Sequence, residues 1–151
     1  MANGDGAHFA QHILRILAIF RRSWDDLTDE QLNAEPPFAP SNTIFQLAVH
    51  VAGSTRHWTI TDTGGTDFHR DRDAEFTAVG FGADVRADYD VLVNQIQDHL
   101  RELTAADLDR PQAVAEARFG GWDGPITQRD AILHALEHIG IHVGHVQIQR
   151  Q

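Results

Sequence analysis

The chain has 151 residues and a net charge of −10, with 22 Asp and Glu against 12 Arg, no Lys and no Cys. That length fits one domain spanning 1–151, able to bury roughly 70% of its unfolded surface. The acidic balance excludes nucleic acid and anionic membrane as partners, and the missing Lys removes Schiff-base chemistry. The missing Cys removes disulfides, Cys-ligated zinc and a cysteine nucleophile, so thiol chemistry here needs a sulfur brought by a small molecule.

The N-terminal Met-Ala-Asn-Gly-Asp-Gly has no basic or apolar leader pattern, and no run reaches the ~18 apolar residues of a membrane span. A cytoplasmic location is expected. The first helix is predicted from about Ala7 to Leu27. Phe9, Ile13, Ile16, Leu17, Phe20, Trp24 and Leu27 form one apolar stripe, with Arg15, Arg21, Arg22, Asp25 and Asp26 opposite. Thr28-Asp-Glu-Gln31 reads as a capping box opening a short extra turn. Glu35-Pro-Pro-Phe-Ala-Pro40 forces extended chain.

Ser41 or Asn42 is expected to cap a second helix over about Thr43 to Thr61, whose core stripe is Ile44, Leu47, Ala48, Val51, Thr55 and Trp58. Asp62 to Ala83 is polar and Gly-rich and reads as a long loop, with a short strand or turn around Glu75 to Val79. A loop of that length in a compact domain is either disordered or functional. A third helix follows from about Ala83 to Leu103 on the stripe Val85, Tyr89, Leu92, Ile96, Leu100 and Leu103. Ala105 to Gly124 reads as a second loop. Thr127-Gln-Arg-Asp130 starts a fourth helix that runs to about Gln149. Four such helices predict an all-α, antiparallel four-helix bundle.

The fourth helix carries the most informative pattern. His134, His138, His142 and His145 are four of the chain's ten histidines within twelve residues. At about 100° per residue, with His138 at zero, His134 lies at about −40°, His142 at about +40° and His145 at about −20°. All four share one narrow face, beside the apolar Ile139, Val143 and Val146. Imidazoles four residues apart on a helix can grip one ion, and imidazole suits borderline metals. Three pairs compete: His134 with His138, His138 with His142, and His142 with His145. His134 and His142 lie roughly 12 Å apart along the axis and do not share an ion. His134-Ala-Leu-Glu-His138 also matches an inverted zinc-protease motif, but no acidic ligand follows His138.

An open metal site takes three protein ligands. The third is expected from another helix, and His50, inside the apolar register of the second helix, is the best candidate. His57 lies two turns on and shares its face. Arg56 and His57 are read as facing the cavity mouth to meet an anionic substrate, and His145 as lining the open side of the site or shuttling a proton. Glu137 and Gln46 are the nearby groups considered for orienting the imidazoles. His8, His12, His69 and His99 are expected to have no part.

These motifs resemble the DinB-like four-helix proteins, a superfamily that includes YfiT-type hydrolases and the bacillithiol and mycothiol S-transferases. Ser41-Asn-Thr-Ile-Phe-Gln-Leu-Ala-Val-His50-Val-Ala-Gly resembles the family's second-helix signature, and Arg72-Asp-Ala-Glu-Phe76 a loop of several members. His138-Ile-Gly-Ile-His142-Val-Gly-His145 is similar to the terminal pattern His-x-x-x-His-Arg-Gly-Gln. Val143 and His145 depart from it where Arg and Gln are usual. Carried over by residue, the resemblance makes His50, His138 and His142 the ligands of a divalent ion, zinc or nickel. It implies a small-molecule substrate and a homodimer. It favours activation of a low-molecular-weight thiol, mycothiol or bacillithiol, for S-transfer. The alternatives are hydrolysis by a metal-activated hydroxide, or a stress-associated metal-binding protein without turnover. The Arg-only composition tilts the thiol towards mycothiol.

Overall fold

A computed structural model of the chain describes residues 4–38, 40–112 and 125–151. Seven α-helices are present among the described residues: α1 Asp5–Arg22, α2 Asp29–Asn33, α3 Ile44–Thr59, α4 Arg72–Glu75, α5 Gly82–Leu100, α6 Ala105–Leu108 and α7 Gln128–Gln149. A 3₁₀ turn, Thr61–Thr63, follows α3, and the described residues contain no strand beyond an isolated Pro111–Thr127 bridge. The long helices form the body. α1 packs on α5 and α7, and α3 packs on the same two, so each has two principal neighbours as in a four-helix bundle.

The apolar stripes read from the sequence are the buried ones. Ile13, Leu17 and Phe20 of α1, Leu92, Ile96 and Leu100 of α5, and Ile132, Ile139 and Val146 of α7 are almost wholly buried. Phe20, Trp24 and Tyr89 stack as an aromatic trio, and the Tyr89 hydroxyl donates to the Ala48 carbonyl at 2.8 Å, tying α5 to α3.

Several expectations are corrected. The first helix ends at Arg22, not Leu27. The chain continues as turns through Asp26, and arginines bond the carbonyls left open there. Arg150 donates to the Ser23 carbonyl, and Arg86 to those of Asp25 and Leu27. The N-cap of α3 is Thr43, not Ser41 or Asn42. Its hydroxyl accepts from the Gln46 amide while the Gln46 side chain accepts from the Thr43 amide. The third long helix stops at Leu100 rather than Leu103, and Thr104 caps the short α6 where a loop was expected. Of the strand or turn expected around Glu75 to Val79, the first loop has the turn, at Phe76 and Thr77, and no strand. It contains α4, capped by the Asp71 side chain. Most of the second loop, 113–124, lies outside the described residues.

Candidate metal centre

α3 and α7 pack along their length and bring His50, His138 and His142 together. The Nε2 atoms of His50 and His138 are 3.0 Å apart, and those of His138 and His142 are 3.2 Å apart. One ring nitrogen from each of the three lies within 4.8 Å of the other two. Tetrahedral zinc with Zn–N bonds of 2.0–2.1 Å separates its ligand nitrogens by about 3.3 Å. The spacing therefore fits a divalent ion.

Each imidazole is also held at its other nitrogen. His50 Nδ1 lies 2.8 Å from Glu75 Oε2, His138 Nδ1 3.4 Å from the Ser54 hydroxyl, and His142 Nδ1 3.1 Å from His145 Nδ1. Such outer contacts fix the rotation of metal-ligating rings. Glu75 is buried and doubly bonded by Arg70, whose Nε donates to Oε1 at 2.6 Å and whose Nη2 donates to Oε2 at 2.7 Å. Burial pushes the Glu75 carboxyl up, but the hydrogen bonds from Arg70 and His50 outweigh it and hold it below its usual range. Burial lowers His138 to about 3, helped by the positive character of its His and Arg neighbours. Burial, with His50 and His145 nearby, lowers His142 to about 4. Both are therefore neutral at pH 7, the form that ligates metal.

A cavity of about 670 Å³ borders His50 and His138. Ser54, Trp58 and His134 line it from the helices, and Asp67, His69, Arg70 and Arg72 from the segment before and within α4. His57 lines it too, 3.4 Å from Asp62 Oδ2. Arg56 does not. It turns to α5, donating to Gln95 at 3.0 Å and Asp88 at 2.8 Å, with its guanidinium over Phe68. His145 lies beyond His142, where the two border a separate cavity of about 310 Å³ with Phe38, Leu47 and Ile148. His134 stacks edge-on against Trp58 and stays outside the triad.

Sequence reasoning missed the groups that hold His50. The two candidates it weighed do other work, because Glu137 is exposed and Gln46 closes the α3 cap. His69, given no role, stands at the cavity rim with a positive φ of 48°. His8 and His12 stack on the exposed side of α1, and His99 contacts the Thr63 hydroxyl at 2.7 Å, both away from the triad.

No helix among the described residues is long and apolar enough to cross a membrane. No curated protein matches the chain. A solved structure, the conserved protein of a locus from Enterococcus faecalis, is similar in fold with a TM-score of 0.70 at 15% identity, covering 99% of this chain and 96% of that one. The sequence profile of the DinB superfamily matches residues 12–146, nearly the whole helical body with all three triad histidines inside it. The chain belongs to the DinB superfamily.

Proposed function

We propose that the protein is a divalent-metal-dependent enzyme that activates a low-molecular-weight thiol, mycothiol or bacillithiol, for S-transfer to an electrophile. The observation that carries the reading is the meeting of three imidazole Nε2 atoms, at 3.0 and 3.2 Å, beside a cavity large enough for such a cosubstrate. An ion held by three neutral histidines, zinc or nickel, keeps its full charge and lowers the pKa of a thiol presented to it. The chain has no Cys of its own, so the sulfur comes from outside.

The chain's residues supply binding and orientation. Arg72, at the cavity rim with its guanidinium 5.0 Å from the Phe76 ring centre, offers a cation to an anionic group. Trp58 and His134, packed edge-on against each other, also line the cavity. In the transfer the sulfur forms a bond to the electrophilic carbon while the bond from that carbon to the leaving group breaks. The leaving group keeps the electron pair, and the thiol proton passes to solvent.

The test is calorimetry of thiol binding to the metal-loaded protein in two buffers of different ionisation enthalpy. The reading predicts release of about one proton per thiol bound, and no thiol binding to the metal-free protein. Binding without proton release, or no binding of either thiol, rejects S-transfer and leaves hydrolysis as the activity to assay.

A further inference from the structure

Glu75 and Arg70 come from a segment without helical periodicity, yet they form the tightest polar cluster around the triad. Among the described residues the Glu75 carboxylate has three hydrogen-bond contacts. Oε1 accepts from Arg70 Nε at 2.6 Å. Oε2 accepts from Arg70 Nη2 at 2.7 Å and faces His50 Nδ1 at 2.8 Å. An ionised carboxylate has no proton to give, so the proton in the last contact sits on His50 Nδ1. Arg70 Nη2 lies 3.2 Å from His50 Nδ1, and the two are neighbouring donors on one shared acceptor rather than partners of each other. In the neutral form that could hold an ion His50 carries one proton, so its Nε2 is then a bare lone pair, 3.0 Å from His138 Nε2.

The place that Glu75 occupies is built. Glu75 is 6% exposed, and a buried charge is tolerated only when paired, which Arg70 provides. It lies flat against α3 because position 53 has no side chain: a methyl group on Gly53 would overlap Glu75 Oε1. The Phe76 ring packs on the His50 ring at 4.7 Å between centres, restricting its rotation.

We propose that Glu75, clamped by Arg70, is the positioning residue that fixes His50 as its Nδ1–H tautomer with the Nε2 lone pair aimed into the triad. This rests on the metal-binding reading above. The bare bundle would leave the choice of tautomer to the imidazole itself, and an Nε2–H proton would sit where the ion binds. The hydrogen bond at the other nitrogen decides which is present.

The experiment compares wild type, Glu75→Gln, Glu75→Ala and His50→Ala. Nitrogen-15 spectra of the histidine rings in metal-free protein report the tautomer directly, and competition titration with Co²⁺ reports affinity. The proposal expects His50 as Nδ1–H in wild type and in Glu75→Gln, whose amide oxygen still accepts, and as Nε2–H in Glu75→Ala. Co²⁺ affinity should fall about 100-fold in Glu75→Ala and about 10-fold in Glu75→Gln, within the range for lost outer partners of metal ligands. An Nε2–H tautomer in wild type overturns the proposal. So does wild-type Co²⁺ affinity in Glu75→Ala with unchanged helix content. If Glu75→Ala does not fold, the near-isosteric Glu75→Gln decides the affinity arm, and wild-type affinity there overturns the proposal. If wild type binds Co²⁺ no better than His50→Ala, the metal reading fails, and the tautomer comparison still decides the role of Glu75.

Discussion

Gly140 and Gly144 sit inside α7, one turn apart, on the side away from the core. A Cβ built at either position meets nothing within 4 Å. Neither glycine is needed for a positive φ or a close approach among the described residues, so each only weakens its helix. Replacing an interior helical glycine by alanine at an unstrained position gains about 0.4–1 kcal/mol, largely by reducing the freedom of the unfolded chain. The double variant Gly140→Ala/Gly144→Ala should therefore gain about 1–2 kcal/mol. For a chain of this size each kcal/mol moves Tm by about 2–4 °C, so a rise of about 2–8 °C is expected. The assay is thermal unfolding followed by circular dichroism on metal-free protein, since bound metal would add its own stabilisation. An unchanged Tm would contradict the propensity argument. A lowered Tm would refute the open-face reading and mean that something packs closely on this face in solution. Leu133, Ile141 and Ile148, exposed along the same helix, would then be its neighbours.

Two further predictions concern the histidines. In metal-free protein the native His138 and His142 titrate at about 3 and about 4, below the ordinary 6.5. The unfolded chain thus binds more protons below pH 6.5, so stability is full above that pH and declines as pH falls towards 4 and then 3. Glu75, held below its ordinary 4.5, adds a loss of the same sign at the acid end. Urea midpoints from about pH 8 to about pH 4 should fall steadily below pH 6.5, and a flat profile between pH 6.5 and 4.5 would contradict buried, neutral imidazoles. His134→Ala should keep metal content near wild type, because His134 packs on Trp58 outside the triad. A loss as large as that of His138→Ala would show that the neighbouring pair of histidines holds the ion.

The helical body was legible because its stripes are long and regular. The four histidines on one arc of α7 were legible for the same reason, and His50 stood out as a polar residue in an apolar register. The short helices α4 and α6 were missed because four residues show no periodicity, and only their capping side chains mark them. Glu75 was missed because it reaches His50 from 25 positions away, through a segment whose path the local sequence does not set. Arg56 lines a smaller neighbouring cavity with His57 rather than the one beside the triad. It lies about 120° around α3 from His50, while His57 lies about 20° away, so only His57 also reaches the triad's cavity. His145 shares the arc of His138 but lies seven residues further on, roughly 10 Å along the axis, and borders the other cavity.

The central claim is that His50, His138 and His142 together hold one divalent ion. Elemental analysis after loading with zinc or nickel and removal of excess ion tests it most directly, on wild type beside His50→Ala and His142→Ala. The account predicts about one ion per chain in wild type and a small fraction of that in either variant, both retaining their helix content, because two remaining imidazoles leave the site short of the three protein ligands it needs. Wild type that retains no ion, or a His50→Ala protein that keeps a full equivalent, would contradict it.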